Sequence, residues 1–285
     1  LAQNADLQQA YAEVARNLPS DASEESRSAV EHALRDFHLA GVDLEKEAKD
    51  RFKAIMQELA DVQATFEHNV LDASDDWSLH ISGEETVRGL PEALLARAAA
   101  KAQEEGLDGW MFSLDFPTYD AVMKQADSRD LREAFYRGWV TRGSDQGADP
   151  RWDNSRNIER ILALRHEAAN LVGFANYAEY SLATKMADTP AQVMEFLREL
   201  SSHSRESAER ELAELTDFAG MHLEAWDVTY WLEKLKQKKF SISNEELRAY
   251  FPAATVKEGL FALASQLYGV DLAVDDSVPT WHEDV

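Results

Sequence analysis

Few residues in this sequence are spaced to do chemistry, and the most suggestive pair is His166-Glu167, followed by Ala168, Ala169 and Asn170. A zinc centre of the H-E-x-x-H type needs two imidazoles one turn apart on a helix. The glutamate between them serves as general base for the metal-bound water. Here Asn170 stands where the second imidazole would be, and an amide is a poor zinc ligand beside imidazole. The spacing therefore predicts a hydrogen-bonded structural histidine at the edge of an apolar arc. The other histidines offer no ligand set. His32 and His38, like His203 and His222, lack ligand spacing, and His222-Leu223-Glu224 lacks the cysteines of a zinc deaminase.

Other reaction classes are equally thin. There is no G-x-S-x-G elbow and no G-x-G-x-x-G loop, and the absence of cysteine removes disulfides and thiol nucleophiles. Gly143-Ser144-Asp145-Gln146-Gly147-Ala148-Asp149-Pro150 is the strongest loop signal. It lacks the Lys-Ser/Thr of a phosphate loop, so it reads as a connector, with a substrate-facing loop as the other reading. Carboxylates are too abundant for any pair to be informative. We assign no catalytic residue and no metal ligand, and the substrate-binding residues are not legible.

The elements that would position a site are mostly helices. Apolar spacing predicts helices over 5–18 (Leu7, Tyr11, Val14, Leu18), then over a segment capped by Ser20 or Asp21 with Val30, Leu34 and Phe37 as its stripe, stopped by Gly41. Residues 43–70 form the clearest helix. Leu44, Phe52, Ile55, Leu59, Val62, Phe66 and Val70 project into an arc of about 80° at ~100° per residue, which suits antiparallel helix packing. The period then switches to two at Trp77, Leu79 and Ile81 and again at Trp110, Phe112 and Leu114. These segments, 77–82 and 109–115, predict a small antiparallel ribbon on either side of a helix that opens at Pro91 and closes at Gly106, with His80 exposed on it. Two helices follow over 118–142, broken near Asp127-Ser128, with Leu131, Phe135 and Val140 inward and Arg132, Arg137 and Arg142 on the flanks.

The most punctuated stretch is 151–187. Asp153 or Asn154 caps a helix whose inward set is Ile158, Ile161, Leu162, Arg165, Ala168, Leu171 and Val172; Gly173 closes it, and Asn176 starts the next. Thr189-Pro190 opens a long helix ending near Gly220, with Val193, Phe196, Leu197 and Leu200 as one buried patch and Leu215 and Phe218 as another. Ser201–Arg210, between the patches, is polar on every side. Trp226, Tyr230, Trp231 and Leu235 mark the next helix, with Lys234, Lys236, Lys238 and Lys239 near its end complementing the dipole. Capping boxes are predicted at Ser243–Glu246 and Thr255–Glu258, and Tyr250-Phe251-Pro252 ends one helix between them. Gly269 closes the last helix, and Val270, Leu272 and Val274 alternate after it.

Composition sets outer bounds. The chain has 285 residues, 45% hydrophobic and 29% charged, enough for a large core. With 53 acidic and 29 basic residues its formal charge is −24, which repels nucleic acid and anionic membrane. No apolar run is long enough to span a bilayer. The start, LAQNADLQQAYAEVARNL, has neither the basic end nor the apolar core of a signal peptide. It begins with Leu, which we read as a cut or processed piece of something longer.

The stretch LALRHEAANLVGFANYAEYSLATKMA resembles the middle of the thimet oligopeptidase/neurolysin/oligopeptidase A family of zinc peptidases, its bacterial oligopeptidase A branch above all. ALRDFHLAGVDL, FEHNVLDA, LREAFYRGWVTRGSDQG, WDVTYWLEKLKQKKFSIS and LRAYFPAATVKEGLFALASQLYGV agree in the same order, so the likeness covers nearly the whole chain. One departure outweighs the matches: the family's catalytic H-E-x-x-H and its downstream glutamate have no counterpart here. The resemblance implies that residues 1–285 are the mostly α, multi-helix, non-catalytic lobe of a zincin-type oligopeptidase. It also implies a catalytic zinc domain expected beyond residue 285, a channel for short peptides, a cytoplasmic setting, and no nucleic-acid or membrane partner. Zinc would belong to the full-length protein, with none bound by this chain, which would be inactive alone. The partners would be short peptides and the missing catalytic part, on the same or a second polypeptide. The alternative is a stand-alone helical scaffold that binds peptides or a protein without catalysis.

Overall fold

A computed structural model describes residues 4–241, 247, 250–273, 277 and 279–282. The chain divides into two units, Leu1–Tyr230 and Trp231–Val285. The first unit begins with α1 (Ala5–Arg16), α2 (Glu24–Leu39) and α3 (Lys46–Asp76), followed by β1 (Ser78–Ile81), α4 (Glu92–Glu104) and β2 (Trp110–Ser113). It continues through α5 (Phe116–Gln125), α6 (Arg129–Thr141), α7 (Ser155–Leu171), α8 (Tyr177–Leu182), α9 (Pro190–Ala219) and the start of α10 (Ala225–Phe240). The second unit holds the rest of α10 and α11 (Ala253–Tyr268). Among the described residues the chain is mostly helical with one two-stranded antiparallel sheet, as the change of period predicts.

The ribbon pairs Ser78 with Ser113 and Ile81 with Trp110. Leu79 and Phe112 lie on its inner face, while His80 is exposed and faces the Asp108 carbonyl. Around this ribbon α4, α5 and α6 bury Leu94, Ala98, Val122, Met123, Leu131 and Phe135, with Trp77 edge-on to Phe135 at 4.9 Å. A second core lies between α3 and α7, where Phe52, Ile55 and Leu59 meet Leu164, Ala168 and Val172. Two ion pairs show that these helices run antiparallel. Arg51 binds Glu167, and, seven residues on, Glu58 binds Arg160, seven residues back. Exposed pairs of this kind add little stability, but they mark the register.

Side chains cap the starts of α1, α2, α5, α6, α8 and α9. Asn4, Ser23, Asp115, Ser128, Asn176 and Thr189 each accept a hydrogen bond from the first turn that follows. The predicted cap at Ser20 or Asp21 is displaced to Ser23, and the carbonyls of Pro19 and Ser20 instead accept from Arg27. Gly41, Gly106, Gly173, Gly220 and Gly269 take positive φ at the predicted stops. The Thr255 box is not formed. The Pro252 carbonyl already accepts the Val256 N–H at 3.0 Å, so α11 begins at Ala253 and Thr255 lies inside it. The box at Ser243–Glu246 and the alternation at Val274 fall outside the described residues.

Three expectations about faces fail. Val140 is exposed although Leu131 and Phe135 are buried, because the inner face of α6 has turned away by its last turn. On α7 the buried set is Leu164, Ala168, Ala169 and Val172; Ile158 and Leu162 lie on the rim, 47% and 60% exposed. On α9 only Leu215 is buried. Val193 is half-buried, while Phe196, Leu197 and Leu200 face solvent. Within the second unit Leu260, Leu263 and Leu267 of α11 are likewise exposed.

The largest miss is Arg132, which is buried rather than flanking. It donates to Asp227 Oδ1 at 2.9 Å, to the Ala126 carbonyl at 2.7 Å and to the Trp226 carbonyl at 3.2 Å. Asp227 is fully buried and also accepts from Arg129 and from the Glu224 N–H at 3.0 Å. The last contact is the back-bond of an acidic third residue to its own helix cap. Burial alone would raise the Asp227 pKa; the bonds from Arg129, the Glu224 N–H and Arg132 outweigh it and hold the carboxyl below its usual range. A carboxyl depressed in the folded state stabilises fully above its unfolded value and loses that contribution as pH falls through the folded one. Asp227→Asn, which leaves Arg132 buried without its counter-charge, should cost about 3–5 kcal/mol in urea unfolding at neutral pH. The cost should begin to shrink below about pH 4, where the unfolded carboxyl takes up a proton, and go on shrinking until the folded carboxyl, held lower, is protonated too.

Candidate functional site

Two places carry the chemistry singled out in the sequence: the His166 turn of α7 and the Gly143–Asp149 loop. At the first, Arg51 Nε and Nη2 each lie 2.6 Å from a Glu167 oxygen. Hydrogen bonding from Arg51 holds the Glu167 carboxyl below its usual range, which favours a committed ion pair over a general base. Asn170 spends its amide on the His166 carbonyl at 2.6 Å, one turn back. The His166 imidazole is exposed and makes no hydrogen bond among the described residues, so the predicted hydrogen-bonded histidine is not what forms. This happens because the buried face of α7 lies at Leu164 and Ala168, which turns His166 outward. One imidazole, a paired carboxylate and an engaged amide do not fit a zinc ion. Among the described residues no group of three His, Asp or Glu side chains is gathered to hold a metal.

The second place is a cavity of about 280 Å³. The end of α3 supplies Ala73, Asp76 and Trp77, α6 supplies Ala134, Gly138 and Thr141, and the loop side supplies Arg142, Gly147, Asp149 and Trp152. The loop is a run of tight turns. Ser144 N–H bonds Thr141 O at 3.1 Å, and Gly147 N–H bonds Ser144 O at 3.0 Å. Gly143 takes φ +66, which favours glycine, and a Cβ there would also crowd Val70 at 3.1 Å and the Asn154 amide at 3.3 Å. Arg151 binds Asp149 at 2.6 Å and reaches Asp76 at 3.5 Å, joining the loop to α3, and its hydrogen bonds keep the Asp149 carboxyl below its usual range.

Asn154 anchors the loop. Of the two caps expected for α7, Asp153 or Asn154, Asp153 supplies the side-chain bond, accepting the Ser155 N–H at 2.9 Å, while Asn154 holds the cap position by its backbone alone. The Asn154 side chain is fully buried; it donates to Phe66 O at 3.1 Å and accepts from Asn69 at 3.0 Å and Asn157 at 2.7 Å. Its own N–H bonds Gly143 O at 3.1 Å.

Arg142 was expected on a flank and instead lines the cavity. Its Cζ lies 3.5 Å from the centroid of Trp139, which stacks on Tyr119 at 4.5 Å. Burial pushes its pKa down, and the guanidinium remains charged from so high a starting value. Arg142 Nη1 and Trp152 Nε1 are both sealed without a hydrogen-bond acceptor from the protein. The W-x-x-R spacing of Trp139 and Arg142 was the available signal, since residues three apart share a helix face.

Comparison with known proteins places this architecture. Residues 122–285, which include the loop and both ends of the Arg132–Asp227 contact, match the family described as Peptidase family M3. The chain belongs to peptidase family M3. It is 44% identical over 265 residues to oligopeptidase A of Escherichia coli K12, covering 91% of this chain and 39% of that protein. It is 41% identical over 272 residues to oligopeptidase A of Haemophilus influenzae, covering 93% and 40%. Against the probable cytosolic oligopeptidase A of Arabidopsis thaliana it is 37% identical over 278 residues, covering 92% and 39%. This M3 chain thus spans about two-fifths of the length of the curated relatives it matches.

Gly138 sets the near wall of the cavity in this M3 chain. A Cβ there would stand 2.6 Å from Trp77 Nε1. Gly138→Ala should force the indole aside and lower stability by about 1–3 kcal/mol despite the better helix propensity of alanine, as measured by thermal unfolding.

Proposed function

We propose that this chain is the helical, non-catalytic part of a zinc-dependent oligopeptidase that hydrolyses short peptides in the cytoplasm. Its helices would form part of a channel wall that admits unstructured peptides, and the catalytic residues would lie in another part of the same protein or on a second polypeptide. The observation that carries this reading is the pairing of Glu167 with Arg51 beside a lone exposed imidazole. In a chain 44% identical to an oligopeptidase A, the glutamate of this His-Glu pair is thus occupied in structure.

Two further facts support the reading. Phe196, Leu197 and Leu200 on α9 face solvent where the sequence pattern asks for burial, and so, within the second unit, do Leu260, Leu263 and Leu267 on α11. Apolar side chains in such numbers suit surfaces that another part of a larger protein covers. The charge of −24 argues against nucleic-acid and anionic-membrane partners, and no described helix is long and apolar enough to cross a membrane.

The purified chain, freed of contaminating protease, should not cleave a fluorogenic short peptide whether or not zinc is added. It should also carry no stoichiometric zinc by elemental analysis. Turnover that persists through repurification, or one tightly held zinc per chain, would overturn the reading. Co-purification with a polypeptide bearing H-E-x-x-H would support the two-chain version.

A further inference from the structure

Arg142 is a cation that the fold holds in place but does not neutralise. The other arginines around it are committed: Arg129 and Arg132 to Asp227, Arg137 to Glu133, Arg151 to Asp149 and Asp76. Among the described residues Arg142 bonds neither a carboxylate nor a carbonyl, in a chain with 53 acidic residues against 29 basic. Its plane is set by Trp139, 3.5 Å from Cζ. Stacking of that kind occupies the face of a guanidinium and leaves its edge for hydrogen bonds; with Nη1 sealed, the Nε and Nη2 side of that edge is the part left for a ligand. A half-buried charge without a counter-ion is an unfavourable arrangement that an anion would relieve.

We propose that the cavity beside Arg142 binds a small monocarboxylate, with Arg142 as its anchor and Trp77, Trp152 and Ala134 as the wall for an apolar substituent. Size, charge and shape each narrow the ligand. A cavity of about 280 Å³ lies at the small end of ligand sites and holds a group the size of one amino-acid residue, not a nucleotide. Asp76 and Asp149 line the same cavity, which opposes a phosphate dianion more than a carboxylate monoanion. The flat fork of a guanidinium matches the two oxygens of a carboxylate. An acylated amino acid and the free C-terminus of a short peptide share this chemistry. The proposal does not depend on the peptidase reading, because it concerns binding and not turnover.

Calorimetric titration of the 285-residue chain separates the possibilities. N-acetyl-leucine should bind, and N-acetyl-leucine amide, which lacks the charge and nothing else of consequence, should bind at least about tenfold more weakly. Trialanine and trialanine amide repeat the comparison for a peptide terminus. Binding of both acids assigns the site to C-termini in general, and binding of N-acetyl-leucine alone assigns it to single acylated residues. Arg142→Gln should lose at least about tenfold in affinity, and Arg142→Lys, which keeps charge without the planar fork, should fall between. The acid–amide comparison on the unmodified chain stands even if a variant fails to fold. Equal binding of acid and amide, absence of heat from both acids at millimolar concentration, or undiminished binding by a folded Arg142→Gln would each overturn the proposal.

Discussion

One buried carboxamide holds the candidate site together. Asn154 is reached by α3 through the Phe66 carbonyl and Asn69, by α7 through Asn157, and by the glycine loop through its own N–H. A carboxamide has two donors and an acceptor oxygen with two lone pairs, and here one donor and both acceptor directions are used. No apolar residue could replace it without stranding the amides that point at its oxygen. The cavity wall that contains Gly143 and Gly147 therefore owes its position to hydrogen bonding, whereas the opposite wall, Trp77 against Gly138, owes its position to close packing. Loop and helix meet at a polar joint that has few alternative arrangements.

The Arg132–Asp227 contact does for the ribbon core what Asn154 does for the loop. It links residues 95 apart and lies where the turn between α5 and α6 meets the start of α10. Tyr230 extends the same cluster. Its hydroxyl donates to Asp127 at 2.8 Å, and burial followed by the Asp127 contact pushes its pKa up to about 12. Arg132 lies 4.2 Å over the ring of Tyr230. Charge, aromatic face and backbone carbonyls all converge on one guanidinium, and a buried cation needs that many partners to be tolerable.

Period and punctuation in the sequence were enough to find the helices, the ribbon and most stops, because those features depend on neighbours in the chain. The ribbon was legible from the alternation at Trp77, Leu79 and Ile81 and again at Trp110, Phe112 and Leu114, and the left-handed stops from glycine. What was hidden depends on distant residues. Arg132 looks like any flanking arginine until Asp227 is brought beside it, and Asn154 looks like a cap until Phe66 and Asn69 are known to lie opposite. The same limit explains the exposed leucines: apolar spacing says that a face can be covered, not which part of a protein covers it. At the candidate site, Gly143 and the loop were visible, while Arg142 was read as a flank although Trp139 sits three residues before it.

The middle of α9 has a consequence of its own. Ser201–Arg210 is exposed almost throughout, so among the described residues little packs against this part of a 30-residue helix to fix its length. A helix is a screw, and length cannot be changed without changing azimuth. One added residue would advance the far end by about 1.5 Å and swing Leu215 about 100° from its present, buried direction. Seven added residues, two near-complete turns, would lengthen the rod by about 10 Å and return Leu215 to within roughly 20° of its present direction. The bare shaft can therefore grow or shrink only by near-whole numbers of turns, such as seven or eleven residues, if Leu215 is to keep its direction.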